Sequence, residues 1–122
     1  MATAGFPKAS RLLNACDYDS VFANNQYKVA NRHFLILASS QQYSGSRLGI
    51  VIAKKNISLA VQRNRIRRLI RESFRQNTGS IASLDIVVLV RKGADKIRNP
   101  EVFESLNKLW RDLESKLQRS AN

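Results

Sequence analysis

The run Asp85-Ile86-Val87-Val88-Leu89-Val90 constrains this chain more than any other stretch. It is unbroken and mostly β-branched, with no polar residue on either alternate face after Asp85, which describes a strand buried on both sides. Such a strand needs a sheet around it and helices over it.

The remaining segments supply those elements. Ala15, Tyr18, Val21 and Phe22 recur at helical spacing between Asn14 and Asn25, with Asp17 and Asp19 suited to a first turn. His33–Ala38 and Arg47–Ala53 read as strands separated by a polar loop, Ser39–Ser46, and so as a hairpin. A long helix is predicted from about Leu59 to Asn77, with Ser58 as N-cap and Gly79 just past its end. Asn99-Pro100 reads as an N-cap followed by proline at the first helical position. Behind it Phe103, Leu106, Trp110, Leu113 and Leu117 keep helical period. The predicted order is α-β-β-α-β-α, an α+β fold in which one sheet is covered by helices. No repeat or Pro/Gly-rich linker divides the chain, so residues 1–122 are expected to form a single-domain α-β sandwich with 1–10 loosely ordered.

The helix at 59–77 also carries the functional signal. Between Lys54 and Arg75 lie eight basic residues, Lys54, Lys55, Arg63, Arg65, Arg67, Arg68, Arg71 and Arg75, and one acid, Glu72. At roughly 100° per residue, Ile66, Leu69, Ile70 and Phe74 fall on one arc. Arg67, Arg68, Arg71 and Arg75 fall on the other, with Asn64 and Arg65 on the same polar side. Arginines four residues apart repel by a few tenths of a kcal/mol per pair, and few carboxylates relieve them. A merely solvated face does not need the planar fork of arginine, which matches phosphate geometry and stacks on bases. The whole chain agrees: 21 Lys and Arg against 9 Asp and Glu give a net charge of +12. A surplus of that size points to a polyanion, nucleic acid before an anionic membrane surface. No stretch approaches the ~18 apolar residues of a membrane span. The N-terminus lacks the apolar core of a signal peptide, and Cys16 is the single cysteine. A reducing, cytoplasmic setting is expected.

The block Ala60-Val61-Gln62-Arg63-Asn64-Arg65-Ile66-Arg67-Arg68-Leu69-Ile70-Arg71-Glu72, preceded by Lys54-Lys55, resembles the Arg-Asn-Arg signature of the bacterial ribonuclease P protein subunit. Arg11-Leu12, Asp17-Tyr18 and Val21-Phe22 match that family's N-terminal pattern. Ala30-Asn31-Arg32-His33-Phe34 is similar to its first strand, and Leu48-Gly49-Ile50-Val51 to the strand before the signature helix. The likeness covers most of residues 8–92. One departure is Ser58, followed by Leu59, where many members have glycine.

The resemblance implies a small basic protein that assembles with a large catalytic RNA and promotes endonucleolytic removal of the 5′ leader from precursor tRNA. It implies a fold like the second domain of ribosomal protein S5, with a left-handed β-α-β crossover through the signature helix, whereas such connections are right-handed in about 98% of cases. It implies two surfaces. Lys54, Lys55, Arg63, Asn64, Arg65, Arg67, Arg68 and Arg71 would face the catalytic RNA. Tyr18, Phe22, Asn31, Arg32 and Phe34 would line a cleft for the single-stranded leader, where bases stack on aromatics along a positive groove. Core packing is the alternative for Phe22 and Phe34.

No catalytic constellation is legible beside these surfaces. Zinc needs clustered Cys and His, and Cys16 and His33 stand apart. Asp17 and Asp19 read as first-turn acids, while Asp85 and Asp95 flank a strand; metal-assisted phosphodiester hydrolysis needs several convergent carboxylates. No Gly-rich phosphate loop is present. No catalytic residue, metal ligand or cofactor of the protein itself is therefore expected, and the resemblance implies Mg²⁺ held by the RNA. Two other classes compete: a structural RNA-binding module of ribosomal type, and a DNA-binding regulator, which would need a partner helix just before the arginine helix.

Overall fold

The computed structural model describes residues 15–40, 46–77 and 84–121. The expectations for 1–10, for Arg11-Leu12, for Gly79 and for the centre of the loop at 41–45 lie outside the described residues. The element order is α1 (Ala15–Asn24), β1 (Tyr27–Ala30), β2 (Phe34–Ser40), β3 (Arg47–Val51), α2 (Ala60–Asn77), β4 (Leu84–Val90), a 3-10 turn (Ala94–Lys96) and α3 (Asn99–Ala121). This is an α+β fold with one strand more than the periodicity predicts.

That extra strand, β1, corrects the reading of 30–34. Ala30 ends β1, Phe34 begins β2, and Asn31–His33 make the turn between them. Asn31 explains the turn: its Oδ1 accepts from the amides of His33 and Phe34, both at 3.0 Å, the Asx-turn chemistry for which asparagine is favoured in loops.

The sheet order is β1-β2-β4-β3. The expected hairpin between β2 and β3 does not form. β2 instead pairs antiparallel with β1 and with β4, while β3 runs parallel to β4. Parallel neighbours cannot be joined by a tight turn and need a long crossover, which α2 supplies. β4 is therefore central, and its buried run has the covering layers that its composition demands.

Pleating divides the sheet's apolar residues between its two faces. Ile36, Ala38, Ile86, Val88 and Leu48 pack with Ile66, Leu69, Ile70 and Phe74 of α2 and with Val102, Leu106, Leu109, Trp110 and Leu113 of α3. On the opposite face Leu35, Leu37, Val51, Val87 and Leu89 pack with Tyr18 and Val21 of α1. The apolar arc of α2 is buried as its period predicts.

Both predicted N-caps move by one residue. The amide of Arg63 donates to the carbonyl of Leu59, so α2 starts from Leu59 and Ser58 makes no cap. The amide of Val102 donates to the carbonyl of Arg98. Arg98 is thus the residue before the first helical turn of α3, and Glu101 Oε1 accepts from its amide at 3.3 Å, one half of a capping box. Asn99 is free to use its side chain elsewhere.

Candidate nucleic-acid interface

Parallel pairing places the C-terminal ends of β3 and β4 together. The loop carrying Lys54 and Lys55 leaves one, and the segment Arg91–Arg98 leaves the other. The Asn31–His33 turn is tied to the same end, because the Arg91 amide donates to the His33 carbonyl at 2.8 Å and Arg91 Nη1 donates to the Asn31 carbonyl at 2.9 Å. Asn56 Nδ2 reaches the Val90 carbonyl at 3.1 Å and pins the loop before α2 to β4. Lys54, Lys55, Arg32, Arg91, Lys92, Lys96 and Arg98 are all exposed there. One end of the sheet is cationic.

The polar side of α2 continues that surface, but its arginines are not equivalent. Arg63 Nη1 donates to the carbonyls of Ile57 and Ser58 at 2.9 and 2.8 Å. Both protons of that nitrogen are used, while Nε and Nη2 retain theirs, the edge that can meet two phosphate oxygens. Arg65 is half-buried and donates to Gln62 Oε1, Asn99 Oδ1 and the carbonyls of Asp95 and Ile97. Asn64 is exposed, and its Oδ1 accepts from Arg67 Nη1 at 3.3 Å. Arg68 and Arg71 are exposed. Arg75 pairs with Glu72 one turn back. That hydrogen bond lowers the Glu72 carboxyl from its ordinary 4.5 and raises the Arg75 guanidinium, so the single acid of this stretch is spent on the last arginine of the helix.

The residues of the expected leader cleft separate. Phe22 on α1 is 41% exposed, an uncommon value for phenylalanine. Tyr18, on the same helix, is half-buried against the α1-side cluster. Phe34 does not belong with them: it is fully buried in the core under α2 and α3, so no ring face is open to a base. It begins β2, and pleating turns it to the opposite face from Leu35. Arg32 is exposed on the β1–β2 turn. Asn31 is committed to that turn and to α3, its Nδ2 donating to Ser105 Oγ at 2.7 Å.

Among the described residues, no three His, Cys, Asp or Glu side chains converge on a point where they could hold a metal ion. The segment immediately before α2 is strand β3 and a turn, which leaves no helix-turn-helix partner in that position. No helix of the described residues is long and apolar enough to cross a membrane.

Fold and surface together define a class: a small basic α+β protein whose cationic surface runs over one helix face and one end of the sheet. A family model described as Ribonuclease P matches residues 6–114. The ribonuclease P protein component of Pseudomonas aeruginosa is 47% identical over 113 residues, covering 93% of this chain and 84% of that protein. That of Marinobacter nauticus is 46% identical over 120 residues, covering 98% and 90%. Among solved structures, the Staphylococcus aureus RNase P protein superposes with a TM-score of 0.79 at 31% identity, covering 85% of this chain and 94% of that one. The Thermotoga maritima RNase P protein gives 0.71 at 34% identity, covering 83% and 96%. The chain belongs to the ribonuclease P protein family.

Proposed function

We propose that this chain is the protein subunit of a cytoplasmic ribonuclease P holoenzyme. It binds the catalytic RNA through the polar side of α2 and the loop at Lys54 and Lys55, and promotes removal of the 5′ leader from precursor tRNA. The observation that carries this reading is the α2 surface itself: a run of arginines with a single, already paired acid, on a chain whose relatives are ribonuclease P protein components. Arginine forks meeting phosphates displace condensed counterions, which makes assembly tight at low salt and steeply salt-dependent. On the opposite face of the sheet, Phe22 offers an open ring on which a leader base stacks, with Tyr18 beside it on α1.

The described residues offer no carboxylate set suited to a catalytic metal, so we assign no chemical step to a protein side chain. Mg²⁺ held by the RNA would supply the activated water. The protein raises local cation density and orients the leader.

Two measurements on the purified chain test this. RNA that copurifies from the native host should be dominated by one abundant structured RNA, the ribonuclease P RNA; rRNA in its place would support a ribosomal module instead. Protein freed of RNA should cleave nothing, and addition of that RNA should restore site-specific 5′ maturation at low Mg²⁺. Cleavage by RNA-free protein would overturn the assignment of chemistry to the RNA.

A further inference from the structure

Arg65 stands in the middle of the arginine block, yet its side chain faces inward to the protein. A guanidinium has five N–H donors. Nε donates to Gln62 Oε1 at 2.8 Å, one Nη1 proton goes to Asn99 Oδ1, and Nη2 donates to the carbonyls of Asp95 and Ile97 at 3.2 and 3.3 Å. Four of the five are used, and no nitrogen pair is left to form a two-point fork with phosphate. The acceptors lie on α2, on the 3-10 turn and at the start of α3, so one side chain holds three segments together.

What it holds is itself cationic. From Arg91 to Arg98 the chain carries Arg91, Lys92, Lys96 and Arg98 against one acid, Asp95. The carbonyls that accept from Arg65 belong to residues 95 and 97, and the intervening and following residues, Lys96 and Arg98, are exposed. Neither side chain has an ion-pair or hydrogen-bond partner among the described residues. Gly93, at φ 96°, makes the left-handed turn that starts this segment away from β4 and toward α2.

We propose that Arg65 is a positioning residue, and that Lys96 and Arg98, docked beside the N-terminal half of α2, form an added phosphate-binding site for the backbone of the RNA that α2 binds. The inference rests on the ribonuclease P reading for the identity of that RNA. The RNA-facing surface then continues from α2 onto residues 96 and 98 across the contact made by Arg65.

The test is the salt dependence of binding by the full chain, measured on ribonuclease P RNA and on an unrelated structured RNA of equal length. Lys96→Ala/Arg98→Ala should lower the slope of log affinity against log salt by about 1.4–1.8, since each phosphate contact contributes roughly 0.7–0.9. Arg65→Lys keeps the charge but cannot span four acceptors, and should lose a comparable part of the slope. Adding Arg65→Lys to the double variant should change nothing further. An unchanged slope in Lys96→Ala/Arg98→Ala would overturn the added site. Retention of the full slope by Arg65→Lys alone would overturn the positioning role. The partner reading fails separately: a wild-type chain with no preference for ribonuclease P RNA over the control removes that RNA as the partner, whatever the two variants do to the slopes.

Discussion

The indole N–H of Trp110 on α3 donates to Ser73 Oγ on α2 at 2.8 Å, inside the core. Ser73 in turn donates to Asn107 Oδ1 at 3.2 Å, and Phe74 meets the Trp110 ring edge-on at a centroid distance of 5.9 Å. This small polar chain keys the arginine helix to α3. Ser73→Ala leaves the Trp110 N–H buried without its acceptor, a cost of roughly 1–3 kcal/mol. Chemical denaturation followed by tryptophan fluorescence should show a lower midpoint with an unchanged slope, and an unchanged midpoint would show that the hydroxyl is replaceable there.

Arg47 and Asp85 form a second cross-element pair. They face each other in the register of β3 with β4, Arg47 Nε and Nη2 each donating to a separate carboxylate oxygen at 2.8 Å. The Asp85 carboxylate is only 10% exposed. Arg47→Ala removes both hydrogen bonds from that carboxylate and, because Arg47 itself is partly exposed, should cost about 1.5–3 kcal/mol. Asp85→Asn, which leaves a neutral acceptor, should cost less; the order of the two thermal midpoints checks this.

Phe22 and Phe34 should behave in opposite ways, although both are aromatic residues of the expected cleft. Phe22→Ala removes an exposed ring, so stability should hardly change. If a leader base stacks on it, precursor tRNA should bind the holoenzyme about 1–3 kcal/mol more weakly while mature tRNA is unaffected. Phe34→Ala opens a cavity in the core and should destabilise the protein by roughly 3–5 kcal/mol, with no selective effect on the precursor. Affinity ratios at fixed Mg²⁺ and salt decide it: a constant precursor-to-mature ratio in Phe22→Ala removes that residue from leader binding.

Glu72 provides a test by pH. Its carboxyl is lowered in the folded chain by the hydrogen bond from Arg75, so the contribution of the pair is present above the unfolded value near 4.5 and is lost as pH falls through the lower folded value. Melting curves of wild type and Glu72→Gln should differ, modestly for so exposed a pair, at neutral pH, and converge below pH 4.5. A constant difference across that range would show that the charge of Glu72 is not what matters.

Much of this was readable from the chain alone, and for identifiable reasons. Period and composition are local properties. Ile66, Leu69, Ile70 and Phe74 had to share a face of any helix at 60–77, the arginines had to take another, and the run to Val90 had to lie in a covered sheet. The family signature at 60–72 is likewise contiguous. Tyr27–Ala30 carries little local signal because it is only four residues long and one of its two exposed positions is the apolar Ala30, which blurs the alternation its burial shows.

Tertiary structure decided the rest. Local pattern makes Arg47–Val51 equally fit to pair with β2 or β4; insertion of β4 between them is settled by which pairing lets α2 and α3 cover one face together while α1 covers the other. Phe34 and Leu35 are both apolar, and only the side on which each helix packs makes one of them core. Arg63, Arg65 and Arg68 are the same residue type within two turns of one helix. Their donors differ because backbone carbonyls remote in sequence reach Arg65 and the nearby loop reaches Arg63, while Arg68 stays exposed: the sequence supplies the charges, and the surrounding chain decides which of them remain available for a partner.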